Sequence, residues 1–176
     1  MRVERRQVGE AWVVRTTHAA TGWVLSIATL GAPESGALSL GGFRIAPRDR
    51  ASAVGYDNDA EALGLAHGME DKIRWSRLIR CGGPRVQPMM DRLVGGKCVL
   101  LPGDGARVGE PQDAALLDFA GEALNAFVRD FGVVPVTGQD LGHGTMSDGV
   151  TSSLGYLHAR YEGSVTADTS KPTGEG

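Results

Sequence analysis

The chain has 176 residues, with 18 Lys and Arg against 21 Asp and Glu, and a net charge of −3. This length suffices for one domain with a sizeable core. Because no basic block is present, nucleic acid is excluded as the main partner, and no apolar run is long enough to cross a membrane. Cys81 and Cys98 have neither metal-ligand nor disulfide spacing, and no apolar signal core is evident, so we expect a cytoplasmic protein.

The first third of the chain predicts β-structure. Residues 11–15 and 23–30 are short β-rich runs separated by a turn-like stretch, which predicts a hairpin at the start of a sheet. Residues 39–45 follow as a strand end that contains two glycines. The 26 glycines of the chain, about twice the usual share, lie in discrete turns and therefore indicate tight loops.

A helix is predicted next, capped by Asp57 or Asn58. Lys72 continues the apolar face of this helix and is placed at its C-terminal end, where the helix dipole favours a cation. Residues 73–91 contain arginines and proline and have no predicted structure; a segment of this kind in a compact domain is typical of a lid or binding loop. The apolar face recurs at helical spacing and consists of Ala62, Leu65, Ala66 and Met69.

Lys97 follows two glycines and stands at the predicted start of an apolar strand, residues 97–101. A lysine in such a place is unusual because ammonium groups are rarely buried without a partner. The ordinary interpretation is a strand-edge lysine whose ammonium reaches water. The alternative interpretation is a lysine placed for chemistry.

The clearest predicted helix spans residues 111–129 and is ended by Gly132. A strand at 133–137 follows and leads to Asp140. A strand–helix–strand unit of this kind would place Lys97 and Asp140 at corresponding ends of neighbouring parallel strands, where open α/β sheets bind ligands. We therefore predict one α/β domain over residues 1–165, with an open mixed sheet flanked by helices, and a polar, disordered tail over 166–176.

Four stretches together resemble the N-terminal, substrate-binding and dimerisation domain of the glutamate/leucine/phenylalanine/valine dehydrogenases. The resemblance covers most of residues 11–160, and it implies the fold of that domain and a homodimer or higher homo-oligomer. The four stretches are Leu40-Gly41-Gly42-Phe43-Arg44, Gly68-Met69-Glu70-Asp71-Lys72, Gly95-Gly96-Lys97 and Asp140-Leu141-Gly142.

The resemblance also implies roles for individual residues. Lys72 would bind the α-carboxylate of an amino acid, and Lys97 would act as acid and base through a water molecule at the α-carbon. Asp140 would handle the proton on the amine or iminium nitrogen. The same motifs add four residues to the expected substrate-binding set: Leu40, Gly41, Gly42 and Met69.

Three features depart from those enzymes. Lys72 and Lys97 are 25 residues apart, more than in the dehydrogenases, so residues 73–91 contain an insertion. His143 is added after Asp140 and is either an extra titratable group or an exposed loop histidine, of which we favour the second. The sequence also has no Gly-x-Gly-x-x-Gly fingerprint, so this chain should not hold a nicotinamide cofactor by itself.

Three functions fit these observations. The first is a cofactor-free enzyme that condenses an aromatic amino acid with a carbonyl compound through an iminium ion, as Pictet–Spengler enzymes of specialised metabolism do. In it, Trp75 and the Met89-Met90 pair are either walls for the second substrate or ordinary packing residues. The second is the substrate-binding half of a split dehydrogenase, with NAD(P) supplied by a partner chain. The third is a non-catalytic amino-acid-binding dimerisation domain. None of the three requires a metal.

Overall fold

The computed structural model describes residues 1–80 and 88–163, and in them one mixed open sheet of seven strands is flanked by helices. The α/β class with an open mixed sheet is thereby confirmed. The strands are β1 (Arg2–Val8), β2 (Ala11–Thr17), β3 (Val24–Thr29), β4 (Leu38–Leu40), β5 (Phe43–Ile45), β6 (Leu93–Leu101) and β7 (Val134–Val136). The helices are α1 (Arg48–Ala51), α2 (Asn58–Leu78), α3 (Asp113–Phe131) and α4 (Ser153–Arg160).

The strand order is β1-β2-β3-β6-β4-β7, with β5 also paired to β6. Pairing is antiparallel from β1 to β6 and parallel among β4, β5, β6 and β7. The predicted hairpin is confirmed as β2 and β3. The sequence reasoning missed β1, whose residues are mostly charged and exposed because it is the edge strand.

Two short strands, β4 and β5, share one edge of β6. Residues 38–40 pair with 93–95, and residues 43–45 pair with 98–100. The break between them falls at Gly41 and Gly42, opposite Lys97. A Cβ at Gly41 would lie 1.6 Å from the carbonyl oxygen of Gly96, and Gly42 has a φ of +77°. Only glycine is compatible with this break, because any side chain would collide or be strained.

The helices cover both faces of the sheet. On one face, α2 packs its alanines Ala62 and Ala66 against Val99 and its neighbours. On the other face, α3 and α4 pack against the larger core cluster, in which Leu116, Leu124 and Leu157 are fully buried. Since residues of a strand alternate between faces, Lys97 lies on the α2 face with Val99, whereas Cys98 and Leu100 face α3.

The helix predicted after Asp57 is longer than expected. The Asp57 carboxylate caps it by accepting hydrogen bonds from the N–H groups of Asp59 and Ala60, at 2.9 and 3.2 Å. It continues to Leu78, so the placement of Lys72 at its C-terminal end was wrong. The first residues of the unassigned segment 73–91 are therefore helical. Residues 81–87 and 164–176, including Cys81 and the predicted polar tail, lie outside the described residues.

Two further expectations about strands are corrected. The strand that carries Lys97 begins at Leu93, so Lys97 is its fifth residue and not its first. The glycines Gly95 and Gly96 belong to the strand and do not form a turn before it. These positions require glycine because α2 and Ser39 approach the strand backbone there too closely for a side chain. The strands β6 and β7 are parallel but not neighbours, since β4 lies between them.

The second half of the chain follows the sequence closely. The helix predicted at 111–129 is α3, shifted by two residues, and Gly132 ends it in the left-handed conformation with a φ of 72°. The strand predicted at 133–137 is β7. The helix α4 was not predicted; Ser152 caps it by accepting a hydrogen bond from the Gly155 N–H at 3.4 Å. No helix in the described ranges is long and apolar enough to span a membrane.

Candidate functional site

Lys97 is a buried lysine in the middle of the sheet. Its side chain is 7% exposed, and its ammonium donates to the carbonyl oxygen of Gly41 at 2.6 Å and to the carboxylate oxygen Oδ2 of Asp140. The break between β4 and β5 frees the Gly41 carbonyl for this contact. The interpretation of Lys97 as a surface lysine at a strand edge is therefore wrong.

Asp140 reaches Lys97 from the loop after β7. Its neighbour Gln139 forms an isolated parallel bridge with Phe43, which holds this loop beside β5. Oδ2 of Asp140 also accepts from Arg44 Nε at 3.0 Å, and Oδ1 lies 3.5 Å from Arg44 Nη2. Burial by itself would raise the pKa of Asp140, but the hydrogen bonds from Lys97 and Arg44 outweigh it and lower the pKa to about 2. Asp140 is thus ionised throughout the neutral range.

Arg44 is a site residue that the sequence reasoning did not single out. It belongs to the quoted motif Leu40-Gly41-Gly42-Phe43-Arg44, but it follows the motif's glycines within a strand of apolar neighbours. In the structure it is 8% exposed and lies between two carboxylates, Asp140 and Glu61. The signal available in the sequence was an arginine between the apolar residues Phe43 and Ile45. A cation within an apolar strand needs partners when the strand is buried.

An open cavity of about 340 Å³ lies in front of this group. Lys72, Lys97 and Asp140, the three charged residues expected to converge, all line it. No carboxylate within residues 1–80 and 88–163 forms an ion pair with Lys72, whose side chain is exposed at the mouth. The other lining residues are Arg44, Gly64, Leu65, Gly68, Met69 and Gln139.

The other four residues expected to bind substrate differ from one another in their position relative to the cavity. Met69 lines the cavity, and Gly41 contributes its carbonyl to Lys97. A Cβ on Gly42 would lie 3.7 Å from the Lys97 ammonium, so Gly42 adjoins the site through its backbone. Leu40 is not among the lining residues; it packs against the small cluster of Ile73, Met90 and Leu93.

The apolar residues considered as walls for a second substrate do not line this cavity. Trp75 and Met89 are 65% and 52% exposed, whereas Met90 is buried with Ile73 and Leu93. Met90 is thus a packing residue. Trp75 lies on α2 one turn beyond Lys72, on the solvent side.

His143 was expected as an exposed loop histidine, and this expectation was wrong. It is half-buried, with Nε2 3.0 Å from the Phe43 carbonyl oxygen and Nδ1 3.0 Å from Ser153 Oγ. Because Ser153 Oγ already accepts from the Gly144 N–H, its hydroxyl proton is available for Nδ1, and Nε2 carries the ring proton. Burial lowers the pKa of His143 to about 4 despite the bond to Phe43.

The described residues contain no group of three or more His, Cys, Asp or Glu side chains arranged to hold a metal ion. The fold and the site define an α/β protein with a charged cavity at a break in a mixed sheet. Comparison with protein-family models gives no match for this chain, and comparison with curated proteins gives no match either.

Proposed function

We propose that this protein is a nucleotide-independent enzyme that condenses an amino acid with a carbonyl compound through an iminium ion, in a reaction of the Pictet–Spengler type. The observation that carries the proposal is the buried ion pair of Lys97 and Asp140 at a cavity that is also lined by Lys72, which forms no ion pair within residues 1–80 and 88–163. The Lys72 ammonium complements the carboxylate of an amino acid, and the Asp140 carboxylate complements its ammonium. Lys97 adds a proton-transfer group at the same cavity.

Substrate binding follows from these charges. The substrate carboxylate binds Lys72, which has no competing carboxylate among the described residues. The substrate ammonium binds Oδ1 of Asp140, which among the described side chains receives only a long contact of 3.5 Å from Arg44 and keeps capacity to accept. Since Asp140 is ionised at any pH well above 2, it stabilises an iminium ion electrostatically and does not serve as the proton donor.

Lys97 supplies the proton transfers. The bound substrate ammonium first releases one proton to solvent water, and the neutral amine adds to the aldehyde carbon to give a carbinolamine. The Lys97 ammonium then donates a proton as the hydroxyl leaves as water, forming the iminium ion. The aromatic ring of the amino acid then attacks the iminium carbon and forms a carbon–carbon bond. Lys97, now neutral, takes the ring proton that restores aromaticity, so one turnover returns the site to its starting protonation state.

The helix α2 supports an aromatic substrate. Gly64 and Gly68 line the cavity one turn apart, and a Cβ at either position would meet nothing within 4 Å. Glycine within a helix costs about 0.5–1 kcal/mol relative to alanine. Neither packing nor positive φ requires glycine here, so we interpret the pair as keeping space for a bulky side chain beside Leu65 and Met69.

The test is to incubate the purified protein with aromatic amino acids and aldehydes without nucleotide and to follow cyclised product by chiral chromatography and mass spectrometry. Lys97→Ala and Asp140→Asn should abolish product formation while the circular dichroism spectrum is retained. Lys97→Arg is the matched control: it keeps the cation but has no accessible neutral form, so it should also be inactive. Full turnover by Lys97→Ala and Asp140→Asn would overturn the assignment.

The same preparation tests two other functions. Formation of NADH from an amino acid and NAD after addition of a nucleotide-binding partner chain would favour a split dehydrogenase. Amino-acid binding by calorimetry, with no product from any aldehyde, would favour a binding domain.

We also propose a homodimer. Within the described ranges β1 pairs with β2 alone, so one long edge of the sheet presents backbone N–H and C=O groups with which a second copy can pair. Light scattering should give twice the mass of 18.5 kDa, and a monomer mass at micromolar concentration would contradict the proposal.

A further inference from the structure

Arg44 connects the Lys97–Asp140 pair to a second carboxylate. Its Nε and Nη2 face Asp140, at 3.0 Å to Oδ2 and 3.5 Å to Oδ1, and its Nη1 donates to Glu61 Oε1 at 2.6 Å. The guanidinium thus contacts both carboxylates with different nitrogens. The planar fork of arginine permits this, whereas lysine presents one point charge.

Glu61 is itself held in place. It lies in the first turn of α2, its side chain is 10% exposed, and its Oε1 also accepts from Arg50 Nη1 at 2.9 Å. Burial alone would raise the pKa of Glu61, but the hydrogen bonds from Arg50 and Arg44 to its Oε1 help to lower it. The carboxylate is therefore ionised and fixed, and it anchors the far side of the Arg44 guanidinium.

We propose that Arg44 is a positioning residue that orients the Asp140 carboxylate toward Lys97 and the cavity, with Glu61 as its anchor. The proposal rests on the proposed function for its catalytic meaning, but the contacts themselves require no substrate. Asp140 stands on a loop four residues beyond the last residue of β7, so its carboxylate needs contacts from other elements to keep one orientation. Arg44 provides them from β5, a strand fixed by its pairing with β6.

Other charged groups around Asp140 do not replace this contact. Lys97 approaches Oδ2 from β6, while Lys72 lies across the cavity on α2. His143, three residues further along the loop, binds the Phe43 carbonyl and Ser153. Only Arg44 faces both carboxylate oxygens among the side-chain hydrogen bonds of residues 1–80 and 88–163.

The experiment measures the carboxylate of Asp140 directly, in the ligand-free protein. The Asp140 signal, assigned with Asp140→Asn, is titrated by carbon NMR of protein labelled at the aspartate carboxyl carbons. Arg44→Met removes an opposite charge within hydrogen-bonding distance and should raise the Asp140 pKa from about 2 to about 3 or above. Arg44→Lys keeps the positive charge but replaces the planar guanidinium by a single ammonium group. It should raise the Asp140 pKa by less than Arg44→Met does, and it serves as the second variant if Arg44→Met does not fold.

Arg50→Met is the matched control. It removes an arginine that shares Glu61 with Arg44 but does not contact Asp140, so the Asp140 pKa should be the same as in wild type. An unchanged Asp140 pKa in both folded Arg44 variants, or equal shifts in the Arg44 and Arg50 variants, would overturn the proposal.

Activity is measured separately in the same variants. If Arg44 positions Asp140, turnover should fall at least tenfold in Arg44→Met, and the acid limb of its pH profile should move upward with the Asp140 pKa. If the Asp140 pKa rises in the Arg44 variants but the wild-type protein shows no condensation activity, the proposed function is refuted. The contact between Arg44 and Asp140 is then still supported. Wild-type activity with full turnover in Arg44→Met would refute the positioning role.

Discussion

Glu70 and Gly95 are joined directly where α2 crosses β6: the Gly95 N–H donates to Glu70 Oε2 at 2.6 Å. The two backbones are so close that a Cβ at Gly95 would lie 2.4 Å from the Ala66 carbonyl oxygen and 2.5 Å from the Glu70 nitrogen. This crossing fixes α2 over the strand that carries Lys97, two residues further along. The cavity lined by both elements therefore depends on a glycine at position 95.

The substitution Gly95→Ala should destabilise the fold. The added methyl group meets backbone atoms of α2, so the helix must shift, and overpacking of this kind costs about 1–3 kcal/mol. The measurement is the free energy of unfolding in urea. Gly64→Ala on the same helix is the control: its methyl group meets nothing within 4 Å, and it should stabilise by about 0.5–1 kcal/mol. Equal stability of the two variants would contradict the close crossing.

Lys72→Met should weaken amino-acid binding. A hydrogen bond to a charged group contributes about 1.5–3 kcal/mol, which corresponds to about a 10- to 100-fold increase in KM. The change in kcat should be smaller, because Lys72 lies at the mouth and does not touch the Lys97–Asp140 pair. Arg74→Met removes an equal charge from an arginine that pairs with Glu70 and Glu10. Its KM should remain within twofold of wild type, and an equal rise in both variants would indicate a general charge effect.

Gly68→Leu should change substrate selectivity. The leucine side chain would occupy the open space beside Met69, so turnover of aromatic amino acids should fall about tenfold or more relative to alanine as substrate. The measurement is a competition assay with mixed amino acids. Ala60→Leu introduces the same side chain at an exposed position of α2 that does not line the cavity. It should leave the selectivity unchanged; unchanged selectivity in Gly68→Leu as well would show that the substrate lies elsewhere.

His143 should make the protein sensitive to mild acid. Its pKa in the folded protein, about 4, is below the value of 6.5 for a free histidine. Between these two pH values the unfolded chain takes up a proton that the folded protein does not, so stability falls as the pH is lowered from 6.5 to 4 and levels off below. The loss should be roughly 1–3 kcal/mol.

The measurement is the unfolding free energy at several pH values for wild type and His143→Gln. The variant should show a smaller decrease over this window. His67→Gln, at an exposed position on α2, should retain the wild-type profile. A wild-type decrease that persists unchanged in His143→Gln would assign the acid sensitivity to another group.

Much of the fold was predictable because the relevant signals are local. The β-rich composition of β2 and β3, the Asp57 cap and the apolar stripe of α3 up to Gly132 each depend on neighbouring residues in the chain. Helix length was less predictable: α2 continues past Lys72 because Ile73 packs against Leu93 and Met90, residues whose position depends on the sheet. The edge strand β1 was missed because its charged residues carry no apolar alternation.

The sequence by itself singled out three charged residues, Lys72, Lys97 and Asp140, which the structure places at one cavity. The tertiary structure decided how they meet. The ion pair of Lys97 and Asp140 depends on a break at Gly41 and Gly42. This break frees the Gly41 carbonyl for Lys97 and lets β5 pair with residues 98–100 of β6. Strand pairing and backbone approach between distant segments produce that geometry, and they leave no periodic signal in the sequence. For the same reason the contacts of Arg44 and His143 were evident only in the folded chain.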